Sequence, residues 1–219
     1  MAGGAAAVGT EEACARLDVS GQLTLVSDYR FRGVTNSSFD PAVQAGVTVQ
    51  GQWGFSAGVW ASTVGGLNGA EAEIDVFAAK SFKVKKAKVS VGGIGYLYPG
   101  GNNLNYGEAT ATISRQFKRA NVTIGANYAL PQPSLNNKDN IYAYSNVNVP
   151  LARLGKTPVS LSAGFGVEQG AFAPRRKLDW SLGASATVKG FTLGAAYIDS
   201  DRPARSARGG AVFSISRAF

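Results

Sequence analysis

The sequence predicts an all-β chain folded as a twelve-stranded antiparallel up-and-down transmembrane β-barrel. Three observations predict it. Apolar residues recur at every second position through segment after segment, which is the period of a strand. The 219 residues carry only 16% charge and include 28 glycines. Soluble domains usually carry about 25% charge and ~7% glycine, and each internal glycine costs a helix about 1 kcal/mol relative to alanine. The connections between the alternating segments are by turns long and short, as in a chain that runs up and down around a ring.

The segments follow in order. Leu23, Leu25, Tyr29 and Phe31 alternate with Gln22, Thr24, Asp28, Arg30 and Arg32, and read as one first strand. Val43 to Val49 alternates with Gln44 to Gln50, and Phe55 to Val59 with Ser56 and Gly58. Ile74, Val76 and Ala78 alternate with Glu73 and Asp75, Val89 and Val91 with Lys88, Ser90 and Gly92. Ala109, Ala111 and Ile113 follow Glu108, and Val122 to Tyr128 interleaves with Asn121 to Asn127. Val147 and Val149, then Val159 to Val167, then Trp180 to Val188 behind Asp179 continue the rhythm. Phe191 to Tyr197 and Phe213, Ile215 and Phe219 complete it. Twelve is even, as single-chain bacterial barrels require, and an outer-membrane strand needs about 9–11 residues.

The uncharged run Pro41 to Ala70 is long enough for a membrane helix. Its seven glycines, three glutamines, proline and two-residue alternation argue for strands instead. Long connections are expected at Val34–Pro41, Thr63–Ala70, Tyr98–Tyr106, Leu130–Asn140, Glu168–Lys177 and Ser200–Gly209. Shorter turns are expected at Gly51–Gly54, Phe82–Lys86, Lys118–Arg119, Leu151–Thr157 and Lys189–Gly190. Both chain ends then fall on the turn side.

Alternation alone does not say which solvent meets the apolar face, and a soluble all-β binding protein shares it. The polar phase is dominated by Gly, Ser, Thr, Asn and Gln rather than Lys and Glu, which suits a narrow wet lumen. Aromatics also fall at strand ends. Trp53, Phe55, Phe117, Phe191 and Phe219 lie toward the turns, and Tyr29, Phe31, Tyr128, Trp180 and Tyr197 toward the loops. Two aromatic girdles mark the two interfaces of a membrane barrel. The chain closes on Phe219, preceded at two-residue steps by Arg217, Ile215 and Phe213.

The stretch SDYRFRGVTNSSFDPAVQAGVTVQ (Ser27–Gln50), then Gly54–Thr63 and Glu73–Lys80, resembles the TorF-type porin family of proteobacterial outer-membrane β-barrels. The ending VFSISRAF (Val212–Phe219) is similar to that family's ending, with Arg217 standing where an apolar residue is usual. The resemblance covers about Leu17 to Phe219. It implies a location in the outer membrane of a Gram-negative bacterium and a porin-like channel role. A C-terminal aromatic closing an alternating strand also resembles the signal read by the outer-membrane assembly machinery, which makes that machinery an expected partner through Phe219.

If the apolar phase meets lipid, Asp28, Arg30, Arg32, Glu73, Asp75, Glu108, Glu168 and Asp179 face the lumen, all toward the loops. Opposed acidic and basic side chains there form a constriction that filters ions or small hydrophilic solutes by charge and size. The competing reading has the same charges pair and plug a non-conducting barrel, whose extracellular loops would serve a structural or partner-binding role.

Histidine is absent and Cys14 is the single cysteine. This removes a His general base, a Ser-His or Cys-His nucleophile and a His/Cys metal cluster. No enzyme activity, metal or cofactor is expected. Glu73 and Asp75 share a strand face, but without a His or nearby Lys they make a weak catalytic pair. The net charge of +8 favours anionic partners, namely membrane lipid and lipopolysaccharide. Nucleic acid is not expected, because the basic runs Lys83–Lys88, Arg175–Lys177 and Arg202–Arg208 are split between the two ends. Met1–Ala15 lacks a basic leader and a continuous apolar stretch. Residues 1–16 read as a flexible extension and 17–219 as a single barrel.

Overall fold

The structure is a computed structural model that describes residues 17–151, 155 and 157–219. The extension over 1–16 and part of the expected turn Leu151–Thr157 lie outside the described residues. The strands are β1 (Asp18–Val26), β2 (Arg30–Phe31), β3 (Val34–Thr35), β4 (Ala42–Gln50), β5 (Phe55–Leu67), β6 (Ala70–Val84) and β7 (Ala87–Leu97). They continue as β8 (Tyr106–Phe117), β9 (Ala120–Ala129), β10 (Asn140–Pro150), β11 (Val159–Gly170), β12 (Lys177–Val188), β13 (Phe191–Ser200) and β14 (Gly210–Ala218). All but β2 and β3 form one closed ring in which each strand pairs antiparallel with its chain neighbour, and β1 closes on β14. Closure reaches the chain end: Phe219 and Gly21 exchange backbone hydrogen bonds of 2.8 and 3.0 Å. The barrel is thus twelve-stranded, antiparallel and without a free edge, which satisfies every ladder group around the ring.

The apolar phase faces outward. Ile124 is 61% exposed, Leu182 66% and Leu193 48%. Such a continuous greasy exterior is a lipid-facing wall and not the surface of a soluble barrel, so the soluble reading is set aside. The turn-side aromatics Trp53, Phe55, Phe117, Phe191 and Phe219 are all exposed, as are Tyr128, Trp180 and Tyr197 toward the loops. Two of these tyrosines turn their hydroxyls to the water side: Tyr128 donates to Asp139 and Tyr197 to Asp199, both at 3.1 Å. An apolar body with a polar tip suits that interface.

Two expectations need correction. The first strand ends at Val26 rather than running on through Arg32. Residues 27–41 leave the wall and fold into the lumen, carrying β2 and β3 as a small hairpin. Tyr29 and Phe31 therefore do not belong to the lipid-facing girdle. Tyr29 is buried, its ring edge-on to Trp60 with centroids 5.3 Å apart, and Phe31 packs edge-on against Tyr96 at 5.7 Å. The second correction is Thr63–Ala70, which is no long loop. β5 and β6 continue through a bulge between Thr63 and Leu67 to a two-residue turn at Asn68–Gly69, both with positive φ. Asn-Gly is the favoured pair for that hairpin turn.

Candidate functional site

The hairpin in the first loop is built to cross the barrel. Arg32 (φ 49°) and Gly33 (φ 82°) form its two-residue turn. The loop is held in shape from within: Tyr29 N–H donates to Ser37 Oγ at 2.9 Å and Asn36 N–H to the Tyr29 carbonyl at 2.7 Å. Asp28 anchors its base, taking Arg30 Nε at 2.6 Å and the hydroxyls of Thr35 and Ser37 at 2.6 and 3.2 Å. Gly33 lies against the far wall, where a Cβ would come within 2.8 Å of Asp179 Cβ. Only glycine both turns there and fits.

At the hairpin tip Arg32 spans two strands of the opposite side. Its Nη2 meets Glu108 Oε2 on β8 at 2.5 Å, and its Nη1 meets Glu168 Oε1 on β11 at 2.7 Å. The guanidinium also lies over the Tyr142 ring, 4.4 Å from its centroid. Lys177 on β12 completes the cluster, with Nζ 2.6 Å from Glu168 Oε2 and donating to the Arg32 carbonyl at 2.7 Å. Tyr96 and Asn127 each donate to Glu108 Oε2, and Asn140 donates to Glu168 Oε1. The Arg32 side chain is 5% exposed and that of Glu108 0%. Buried charges of this kind persist only when paired and hydrogen-bonded.

Glu73 and Asp75 lie on the nearer wall. Glu73 is fully buried and accepts from Tyr29 Oη at 3.1 Å and Asn36 Nδ2 at 3.2 Å. Asp179 accepts from Tyr142 Oη at 3.0 Å, and Arg30 donates to the Arg208 carbonyl of the last loop at 2.8 Å. All eight residues expected at a constriction therefore line the loop half of the lumen. Arg30 and Arg32 reach it from the inward hairpin, whereas the first strand was expected to carry them. Asp75 Oδ1, Glu108 Oε1 and Asp179 Oδ2 are buried with no hydrogen-bond partner among the described residues.

Sequence reasoning missed Lys177, Tyr96, Tyr142, Asn127 and Asn140. The signal was present, since each stands on the same phase as a predicted lumen residue. Lys177 sits directly opposite Glu168 in the β11–β12 register. Trp60 and Phe77 were missed for the same reason; they point inward opposite Gly46 and Gly58.

Among the described residues every buried side chain lies in the loop half. Above the charged layer, toward the loops, is a cavity of about 270 Å³ walled by Phe31, Leu104, Tyr106, Leu135 and Phe172. Below it the turn half is open. One space of about 380 Å³ is lined by Gln22, Thr24, Gln44, Thr48 and Trp60. Another of similar size is lined by Asn121, Thr123, Asn146, Ser162 and Ser181.

A closed ring of lipid-facing strands around a polar lumen narrowed by an inward loop defines the class: this is a transmembrane β-barrel of porin-like fold. Solved barrels agree on the fold. The KdgM porin is similar with a TM-score of 0.61 at 7% identity, over 91% of this chain and 98% of that one. A NanC porin gives 0.56 at 13% identity, over 92% and 99%. The COG4313 outer membrane channel from Pseudomonas putida F1 gives 0.51 at 8% identity, over 92% and 95%. No curated protein matches the chain. Residues 10–217 match the model of Gcw_chp, a family described as bacterial proteins of unknown function, and the chain belongs to that family.

Proposed function

We propose that this barrel is a passive channel of the outer membrane for ions or small hydrophilic solutes, with the first-loop hairpin setting its narrowest point. One observation carries the reading. The inward hairpin gathers Arg32, Glu108 and Glu168 into one charged layer across the lumen, and space lined by Ser, Thr, Asn and Gln lies on its turn side. Charged rings at a constriction select by size and sign. Passage needs no covalent chemistry, only displacement of the Arg32 tip from its two carboxylates. The stretch Ser27–Gln50 that resembles TorF-type porins is the hairpin and its flanking strand, and we assign the chain to that type on the same ground.

The burial of the Arg32 cluster also favours a second reading, a closed barrel whose loops do the work. Recording from purified protein in a planar bilayer separates the two. Stepwise currents support the channel. Silence of both the wild type and Arg32→Ala overturns it in favour of the closed barrel.

A further inference from the structure

The barrel's charge is divided unequally between its ends. Among the described residues the turn half holds ten basic residues against a single acidic one, Asp18. The loop half holds nine basic against eleven acidic, and all four ion pairs among the described residues lie there. The chain's positive excess is therefore an excess of its turn end, and nothing described there neutralises it.

Three of those cations stand on the outward, lipid-facing phase, each beside a phenylalanine ring, and Lys80 also donates to the Trp53 carbonyl. Lys80 on β6 pairs across the ladder with Phe55, and its Nζ lies 4.2 Å from that ring's centroid. Arg217 on β14 pairs with Phe191, its guanidinium 5.1 Å from the ring centroid. Arg115 on β8 lies 4.6 Å over Phe117, two residues along its own strand. A cation on a barrel's outer wall is tolerated only at the level of the headgroups, with its stem along apolar surface. The aromatic beneath each one fixes that level. Three recurrences, on β6, β8 and β14, place cations beside aromatic rings on the outer wall of the turn half. The exposed pairs Lys85–Lys86 and Lys118–Arg119 extend the same charge beyond the strand ends.

We propose that the turn end is a binding collar for anionic phospholipid headgroups, with Lys80, Arg115 and Arg217 as its contacts on the wall. The ligand chemistry is a lipid phosphodiester carrying net negative charge. Guanidinium offers it two parallel N–H donors and ammonium a point charge, and basic segments at a membrane surface draw anionic lipid. The collar holds the barrel at a set depth in the turn-side leaflet, while the nearly neutral loop half has no such demand.

The test is native mass spectrometry of the full-length folded barrel after equilibration with equal phosphatidylglycerol and phosphatidylcholine. The wild type is expected to retain phosphatidylglycerol several-fold over phosphatidylcholine. Combined Lys80→Gln, Arg115→Gln and Arg217→Gln is expected to abolish that preference while the gel shift of the unheated protein stays folded. A wild type without preference overturns the proposal, as does a folded triple variant that keeps it. Should the triple variant fail to fold, the three single variants are read instead, and an undiminished preference in all three overturns it. Loss confined to a variant of the turn tips (Lys85, Lys86, Lys118 and Arg119 to Gln) overturns the assignment to the wall.

Discussion

The two halves of the lumen are lined by the same twelve strands and differ in almost everything else. The loop half contains every buried side chain and all four ion pairs among the described residues. The turn half presents Ser, Thr, Asn and Gln to open space, with Lys83 and Lys88 at its end, and holds no ion pair among the described residues. The strands supply the inward acidic residues of the loop half, but their uniform alternation does not bury them. The cause is one connection, residues 27–41, which folds inward and supplies a third surface for charged wall residues to meet. A barrel wall alone holds its inward charges in water; an inserted hairpin converts the same residues into a buried, specified layer. Selectivity in such a fold therefore resides in a loop held by the wall, and substitutions should divide in severity along that line.

The largest effect is expected from Arg32→Ala. It leaves Glu108 and Glu168 facing each other without their shared guanidinium. Removing one partner of a buried ion pair costs about 3–5 kcal/mol. The cost falls on the hairpin, so limited trypsin digestion of the folded barrel should cut at Arg30, which the wild type protects. Asp28→Asn comes next. It weakens the base of the loop by roughly 1.5–3 kcal/mol, the worth of a hydrogen bond to a charged group. Cleavage should be faster than in wild type and slower than in Arg32→Ala. Gly125→Ala probes the boundary of the two halves. Tyr144 lies across Gly125 in the β9–β10 register, and a Cβ there runs into its ring. Overpacking of this kind costs about 1–3 kcal/mol, read as a lower midpoint for loss of the unheated gel shift, with the first loop still protected. Ser185→Ala in the turn half should change both readouts by less than about 0.5 kcal/mol. An equal response at Ser185 and Arg32 would break the division into halves.

How far this division was legible in the sequence follows from what alternation encodes. Strand number, phase and the outward face were readable because lipid imposes a two-residue rule on each of the twelve strands. That phase placed Glu73, Asp75, Glu108, Glu168 and Asp179 inward. It also misled, since the apolar–polar rhythm of Leu23 and Leu25 runs on in phase through Tyr29 and Phe31 after the strand has ended. The rhythm there belongs to a hairpin with its own two faces. The break was marked instead by turn chemistry: Ser27–Asp28 after Val26, then Arg32–Gly33 at positive φ. Thr63–Ala70 failed in the opposite sense, where glycines that suggested a loop serve a bulge and only Asn68–Gly69 turns the chain. Lys177 falls at the edge of an expected loop; its phase with Asp179 points it inward, but only the register shows that it stands opposite Glu168.

The most direct test of a hairpin-limited lumen is the single-channel conductance of the wild type beside Arg32→Ala in the same bilayer and salt. Passage governed by the Arg32 tip predicts a conductance several-fold larger in the variant, with altered cation-to-anion preference. Equal conductance and unchanged preference would contradict it, and would move the limiting resistance away from the first loop.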